Sequence, residues 1–252
     1  MKVTVIGGSG RIGSRVVRDL EKRGHDALAA SPNSGVDTLT GEGLGAALQG
    51  AAVVVDVSNS PSFEDAAVLQ FFETSTRRIL DAAEKADVGH LVALSVVGTE
   101  RLLDSGYFRA KDAQEKLITT SSIPYSIVQA TQFFEFIAGI EDGATEGGTV
   151  RLPSVLFQPV AAGDVALTVS EVALAPPVMG IVEVAGPEQF RFDELIRRDL
   201  VGRGDSRPVV PDAHARYFGT ELEERSLVPG VGARLGKTTY GEWFAQSISR
   251  TS

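Results

Sequence analysis

The chain begins with an apolar, β-branched run, Val3-Thr4-Val5-Ile6, which predicts a buried strand over Lys2–Ile6. Gly7, Gly10 and Gly13 follow at a spacing of three. Next, Val16, Val17 and Leu20 recur at helical spacing opposite Arg15, Arg18, Glu21 and Lys22, which predicts a helix over about 11–24. The same reading places strands at Asp26–Ala30, 52–57, 90–95 and 125–129. A short further strand is expected at 36–39, inside a segment rich in turn residues (31–43). Helices are expected at Leu44–Leu48, from a cap at Ser62 to about residue 86, and over 108–120. The run at 52–57 is almost wholly apolar, as in a strand covered on both faces. Strands alternating with helices in this way predict an α/β fold, a Rossmann-type doubly wound parallel sheet with right-handed crossovers.

The alternation breaks after Thr131. Phe133, Phe134, Phe136 and Ile137 form a dense apolar patch, in which at least two of the nearby aromatics (Phe157 included) are expected in the core. Gly143, Gly147 and Gly148 mark turns. A strand end is expected at 150–153, a short strand and helix over 160–173, a strand at 181–184 and a helix at 192–200. An amphipathic helix is expected over 240–248. The reading is one domain, 1–252, with a sheet core over 1–131 and mostly substrate-binding elements over 132–252.

Composition narrows the function. The 252 residues are 43% hydrophobic and 23% charged, enough to bury a sizeable core without staples. With no cysteine, disulfides, thiolate chemistry and Cys-based metal sites are excluded. His25, His90 and His214 show no ligand spacing, and no metal site is expected. A net charge of −9 argues against nucleic acid and against an anionic membrane surface. No apolar run approaches the roughly 20 residues of a membrane span, and the start shows no signal-peptide pattern. The expected location is the cytoplasm, with a small-molecule substrate; composition does not define an oligomeric state.

Strand, glycine turn and helix in succession form a cradle for a pyrophosphate. The amides of Ser9, Gly10, Arg11 and Ile12 lie at a helix start, where the dipole favours negative charge. A side chain at Gly7 or Gly10 would block the turn or the phosphate, and one at Gly13 would push the helix off the strand. A carboxylate closing the second strand would bind a ribose 2′-hydroxyl and select NAD. Here the strand runs into Ser31-Pro32-Asn33-Ser34 instead, with hydroxyl and amide groups suited to a phosphate. Arg11 could reach a 2′-phosphate or could simply be a solvated helix-start residue. The balance favours NADP(H) over NAD(H). Ser58 and Asn59 follow the 52–57 strand at the same edge; Asn59 either bonds the cofactor or caps its own loop.

Tyr107 and Lys111 stand at i and i+4, on one face of a helix. A tyrosine can protonate a carbonyl oxygen as hydride arrives, provided that its pKa, roughly 10 when free, is lowered. A neighbouring ammonium does that and can also hold a ribose. Ser95, at a strand end, could bind the substrate oxygen, with Thr99 as its substitute. The structural alternative is an ordinary helix pair, one residue half-buried and the other solvated. The carboxylates Glu141-Asp142 and the run Glu221, Glu223, Glu224 read as solvated, and His214 as a surface residue.

These stretches, together with Leu94-Ser95-Val96-Val97-Gly98, Glu115-Lys116-Leu117, Ile123–Thr131, Gln158-Pro159-Val160, Gly163–Ala166 and Val184–Glu188, resemble the atypical short-chain dehydrogenase/reductases, in particular the NmrA-like NAD(P)H-binding group. The resemblance covers most of the chain. It implies that Lys111 lies near the nicotinamide and that Gln129–Phe133, including Ala130 and Thr131, lines the cofactor's reactive end. It also implies reduction of a carbonyl, imine or activated alkene. Val96 and Val97 occupy the usual places of the catalytic serine, which leaves its identity open between Ser95 and Thr99. The leading expectation is an NAD(P)H-dependent oxidoreductase acting on a small, largely apolar substrate. The alternatives are a non-catalytic NADP(H)-binding sensor working through a protein partner, and a nucleotide-sugar epimerase-like enzyme, for which the chain reads as short.

Overall fold

The computed structural model describes residues 1–249. Its first half runs β1 (Lys2–Ile6), α1 (Gly13–Lys22), β2 (Asp26–Ala30), α2 (Leu44–Leu48), β3 (Val53–Asp56), α3 (Asp65–Lys85), β4 (His90–Val96), α4 (Gly106–Thr119) and β5 (Tyr125–Ala130). The second half runs α5 (Ile137–Gly143), β6 (Thr145–Glu146), β7 (Thr149–Leu152), β8 (Leu156–Phe157), α6 (Ala162–Leu174) and β9 (Gly180–Ala185). It continues with β10 (Phe190–Arg191), α7 (Phe192–Arg203), β11 (Val209–Pro211), β12 (Arg234–Leu235) and α8 (Tyr240–Ser249).

Seven parallel strands form the central sheet in the order β12-β9-β5-β4-β3-β1-β2. This is the expected Rossmann-type sheet. One face carries α1 and α6 over Val3, Val5, Val16, Leu20, Val165 and Val169, all fully buried. The other carries α2, α3 and α4 over Val54, Ile79, Leu91, Ile118 and Ile127. Because both faces are covered, the central strands are apolar throughout rather than alternating.

Segment 36–39 is not a strand. The Asp37 carboxylate accepts hydrogen bonds from the amides of Leu39 (2.7 Å) and Thr40 (3.2 Å), and Gly35, Gly41 and Gly43 all have positive φ. Those local bonds and left-handed glycines close the segment into turns before it can join the sheet. Nor does Ser62 cap α3; its hydroxyl accepts from the Glu64 amide (3.2 Å), one residue before the helix begins.

The second half divides its work. α6 and β9 complete the central sheet and its core. The remainder builds a lobe around Phe108, Phe134, Phe157, Phe192 and Tyr240, with a three-stranded sheet β11-β7-β6 and the pair β10-β8. Phe134 and Phe157 are core residues, as expected, whereas Phe136 is exposed and stacks on Phe133 with centroids 5.5 Å apart. His214 is exposed, and so are Glu221, Glu223 and Glu224, on a loop rather than a helix. Glu141 departs from the solvated reading: it is 2% exposed on the inner face of α5, and only Asp142 points to water.

Candidate functional site

Every strand of a parallel sheet ends on the same edge, so the termini of β1 to β5 bring Gly7, Ser31, Asp56, Ser95 and Thr131 to one rim. At its centre, Gly7 turns with φ +77°, and its amide donates to the Ala30 carbonyl (2.8 Å). A Cβ at Gly13 would stand 2.2 Å from the Gly7 carbonyl oxygen and 2.7 Å from Gly8 Cα. One at Gly8 would stand 2.6 Å from Ala29 Cα. Both positions are glycine because backbone packs directly on backbone there. Gly10 differs: its Cβ would meet only the Gly7 carbonyl oxygen, at 3.1 Å, with open space beyond.

The amides of Ser9, Arg11 and Ile12 have no protein acceptor among the described residues, and the first turn of α1 carries no acidic side chain. Free amides, a helix N-terminus and the open space above Gly10 fit a pyrophosphate. Arg11 is exposed beside them, its guanidinium without a partner among the described residues. Beyond β2, Ser31 is buried and Asn33 is exposed on a short 3₁₀ turn.

Asp56, passed over within the apolar run, closes β3 and is buried. Its Oδ1 accepts from the Ser58 amide (3.0 Å) and hydroxyl (2.6 Å), and its Oδ2 from Gln114 Nε2 (3.0 Å). Burial raises its pKa above the ordinary carboxylate value, against these hydrogen bonds. Ser58 thus packs beside Gly7 but gives its hydroxyl to Asp56. Asn59 is exposed.

Helix α4 contributes a polar stripe at i, i+3 and i+4: Lys111, Gln114 and Glu115. Lys111 is 3% exposed. Its Nζ donates to the Leu94 carbonyl (2.8 Å) and to Gln114 Oε1, and lies 4.3 Å from the Phe72 ring centroid. Burial lowers its pKa to about 8, opposed by the charges of Asp56 and Glu115. Glu115 gathers the other polar groups. Ser95 Oγ donates to it, Gln129 Nε2 donates to both its oxygens (2.9 and 3.0 Å), and Thr99 Oγ1 donates at 3.3 Å. Burial pushes the Glu115 carboxyl up, against those donors. Ser95 and Thr99, weighed as alternatives, therefore share one carboxylate.

Tyr107 lies in the first turn of α4, half-buried, with its ring 5.7 Å from Phe63, 6.2 Å from Phe72 and 5.9 Å from Phe108. Its hydroxyl has no hydrogen-bond partner among the described residues. Burial pushes the phenol up to about 12. The expected lowering by Lys111 is not found, because the ammonium turns to Leu94, Gln114 and Phe72. Ala130 is buried at the end of β5, and Thr131 Oγ1 donates to the Gln158 carbonyl (2.6 Å).

The residues missed in the sequence, Asp56 and Gln114, sit as single polar side chains within an apolar run or on a helix's buried face. That placement was the available signal.

The model of the NAD(P)H-binding family matches residues 7–176. The photosystem II assembly factor Ycf39 of Synechocystis is 24% identical over 153 residues, covering 55% of this chain and 47% of that protein. The chain thus spans about half the length of the curated relatives it matches. Among solved structures, MoeE5 in complex with UDP-glucose and NAD superposes with a TM-score of 0.76 at 17% identity, covering 100% of this chain and 98% of that one. The dTDP-4-dehydrorhamnose reductase of Bacillus anthracis in complex with NADP gives 0.70 at 13% identity, covering 100% and 99%. At such identities these likenesses show the fold, and structures of this fold carry either dinucleotide. Since the matched segment covers more than half of its residues and includes the glycine turn with its free amides, the chain belongs to the NAD(P)H-binding family.

Proposed function

We propose that the protein is an NADPH-dependent reductase of a small, largely apolar carbonyl, imine or activated alkene. The observation that carries this reading is the hydroxyl of Tyr107, without a hydrogen-bond partner among the described residues, on a ring that packs on Phe72 one helical turn before the buried Lys111. A bound nicotinamide supplies the hydride. Tyr107, kept protonated by burial, donates its proton to the substrate atom that gains negative charge. Lys111 holds a ribose hydroxyl and supports the phenolate that results. Ser95 and Thr99, braced by Glu115, orient the substrate oxygen. The amides of Ser9, Arg11 and Ile12 hold the pyrophosphate in the open space above Gly10, whose own amide is spent on the Gly7 carbonyl (2.9 Å), with Arg11 and Asn33 on the 2′-phosphate side. Absence of a carboxylate after β2 supports NADP(H) over NAD(H).

The deciding experiment is NADPH oxidation by wild type and Tyr107→Phe across a panel of ketones, imines and enones. The variant should turn over at least about a hundredfold more slowly while keeping its affinity for NADPH. No turnover by wild type, or full turnover by the variant, would overturn the mechanism. A second reading, a non-catalytic NADP(H) sensor, is favoured by two observations. The Tyr107 phenol is raised rather than lowered, and the similar protein Ycf39 bears the name of an assembly factor. Cofactor binding without turnover, and a partner complex that distinguishes NADP⁺ from NADPH, would establish it.

A further inference from the structure

Above Tyr107 the rim ends in two rings that the core does not absorb. Phe63, on the segment between β3 and α3, is 55% exposed, and Phe218 is 51% exposed. Their centroids lie 6.3 Å apart, and Phe63 in turn lies 5.7 Å from Tyr107. Phe218 reaches this position at a local cost. It and Gly219 form the tip of a two-residue turn closed by reciprocal bonds between Tyr217 and Thr220 (2.8 and 3.1 Å), with φ +48° and +87°. A turn with both central φ positive calls for Asn-Gly or Gly-Gly. A bulky aromatic at its first central position is a conformational outlier. Such strain persists where the surroundings over-determine it, and it concentrates at ligand clamps.

The strained residue is the one that meets Phe63, which in turn packs on Tyr107, while its neighbour Tyr217 is buried and supports it edge-on with centroids 4.7 Å apart. The two rings are tilted by 42° to each other, and each keeps a half-exposed surface on which a flat guest can stack and a puckered one cannot.

We propose that Phe63 and Phe218 form an aromatic clamp at the mouth of the site that selects planar, conjugated substrates. The inference rests on the reductase reading only for placing the reacting group at Tyr107. Calorimetric binding of 2-acetylnaphthalene and of its saturated analogue 2-acetyldecalin, with cofactor present, tests it in wild type, Phe218→Asn and Phe63→Ala. Wild type should prefer the planar ketone, and each variant should lose about tenfold in affinity for it with little change for the saturated one. Phe218→Asn should unfold no earlier than wild type, because asparagine suits the turn. Equal affinity of wild type for the two ketones, binding of neither, or equal losses in the variants would overturn the clamp. Selective binding without NADPH oxidation would leave the clamp standing and remove the reductase reading.

Discussion

Lys111 sets its ammonium 4.3 Å from the ring centre of Phe72 and donates to the Leu94 carbonyl, a helical turn away from the free hydroxyl of Tyr107. The helical spacing of the two residues puts them on one face, but the ammonium is directed to the sheet edge and an aromatic ring. The lysine's pKa of about 8 therefore has a binding consequence. If its ammonium holds the cofactor, NADPH affinity stays level below about pH 7 and falls as pH rises past about 8, by up to tenfold per unit. Lys111→Met should bind weakly at every pH and show no such limb. A fluorescence titration at a series of pH values checks both, and a level wild-type profile into alkaline pH would remove Lys111 from the cofactor site.

The glycines of the turn separate packing from binding. Gly13→Ala places a methyl group against the Gly7 carbonyl and Gly8 Cα, where backbone must move, and should cost about 2 kcal/mol of stability as well as the cofactor. Gly10→Ala meets one oxygen at 3.1 Å and otherwise open space. It should change stability by no more than about 0.5 kcal/mol, while weakening NADPH binding at least tenfold. Urea unfolding alongside cofactor titration distinguishes the two; parallel behaviour of both variants would contradict a phosphate site above Gly10.

Arg11 tests the choice of dinucleotide. Its guanidinium has no partner among the described residues, so its removal should leave stability unchanged. In Arg11→Ala the Kd for NADPH should rise about tenfold, near 1.4 kcal/mol, with the Kd for NADH unmoved. An equal effect on both cofactors would place Arg11 at the shared pyrophosphate rather than at a 2′-phosphate.

Glu141 governs stability in the C-terminal lobe. It is buried next to Asp199, which accepts from the Tyr240 hydroxyl (2.8 Å) and pairs with Arg203 (2.5 Å). Burial, reinforced by the Asp199 charge and held back by Arg203 and Arg207, pushes the Glu141 carboxyl up from 4.5 to about 8. The folded chain therefore holds a proton that the unfolded chain releases. The stability it contributes is present below about pH 4.5 and is lost as pH rises towards about 8. Glu141→Gln should match wild type near pH 5 and exceed it by about 2 kcal/mol near pH 9. Thermal melts across that range would show parallel curves if Glu141 were ionised in the fold throughout.

The sequence by itself determined the strand–helix alternation, the parallel sheet and the glycine cradle, because these follow from interactions within a few residues. Apolar period separates strand from helix, and Gly7 and Gly13 report backbone packing that a side chain forbids. Local pattern overreached at 36–39, where Asp37 and three left-handed glycines outweighed a weak β signal, and at Glu141, whose helix turned the carboxylate inward. Only the tertiary structure decided how the polar groups pair. Asp56, Ser95 and Gln129 lie 39 and 34 residues apart along the chain, and no local signal links them. The adjacency of β3, β4 and β5 brings them under α4, where Gln114 meets Asp56 and Glu115 collects Ser95, Thr99 and Gln129. The Phe63–Tyr107–Phe218 cluster arises in the same way, from the segment after β3, the first turn of α4 and a turn of the C-terminal lobe between β11 and β12. Periodicity reports which face of an element is buried; strand order decides what that face meets.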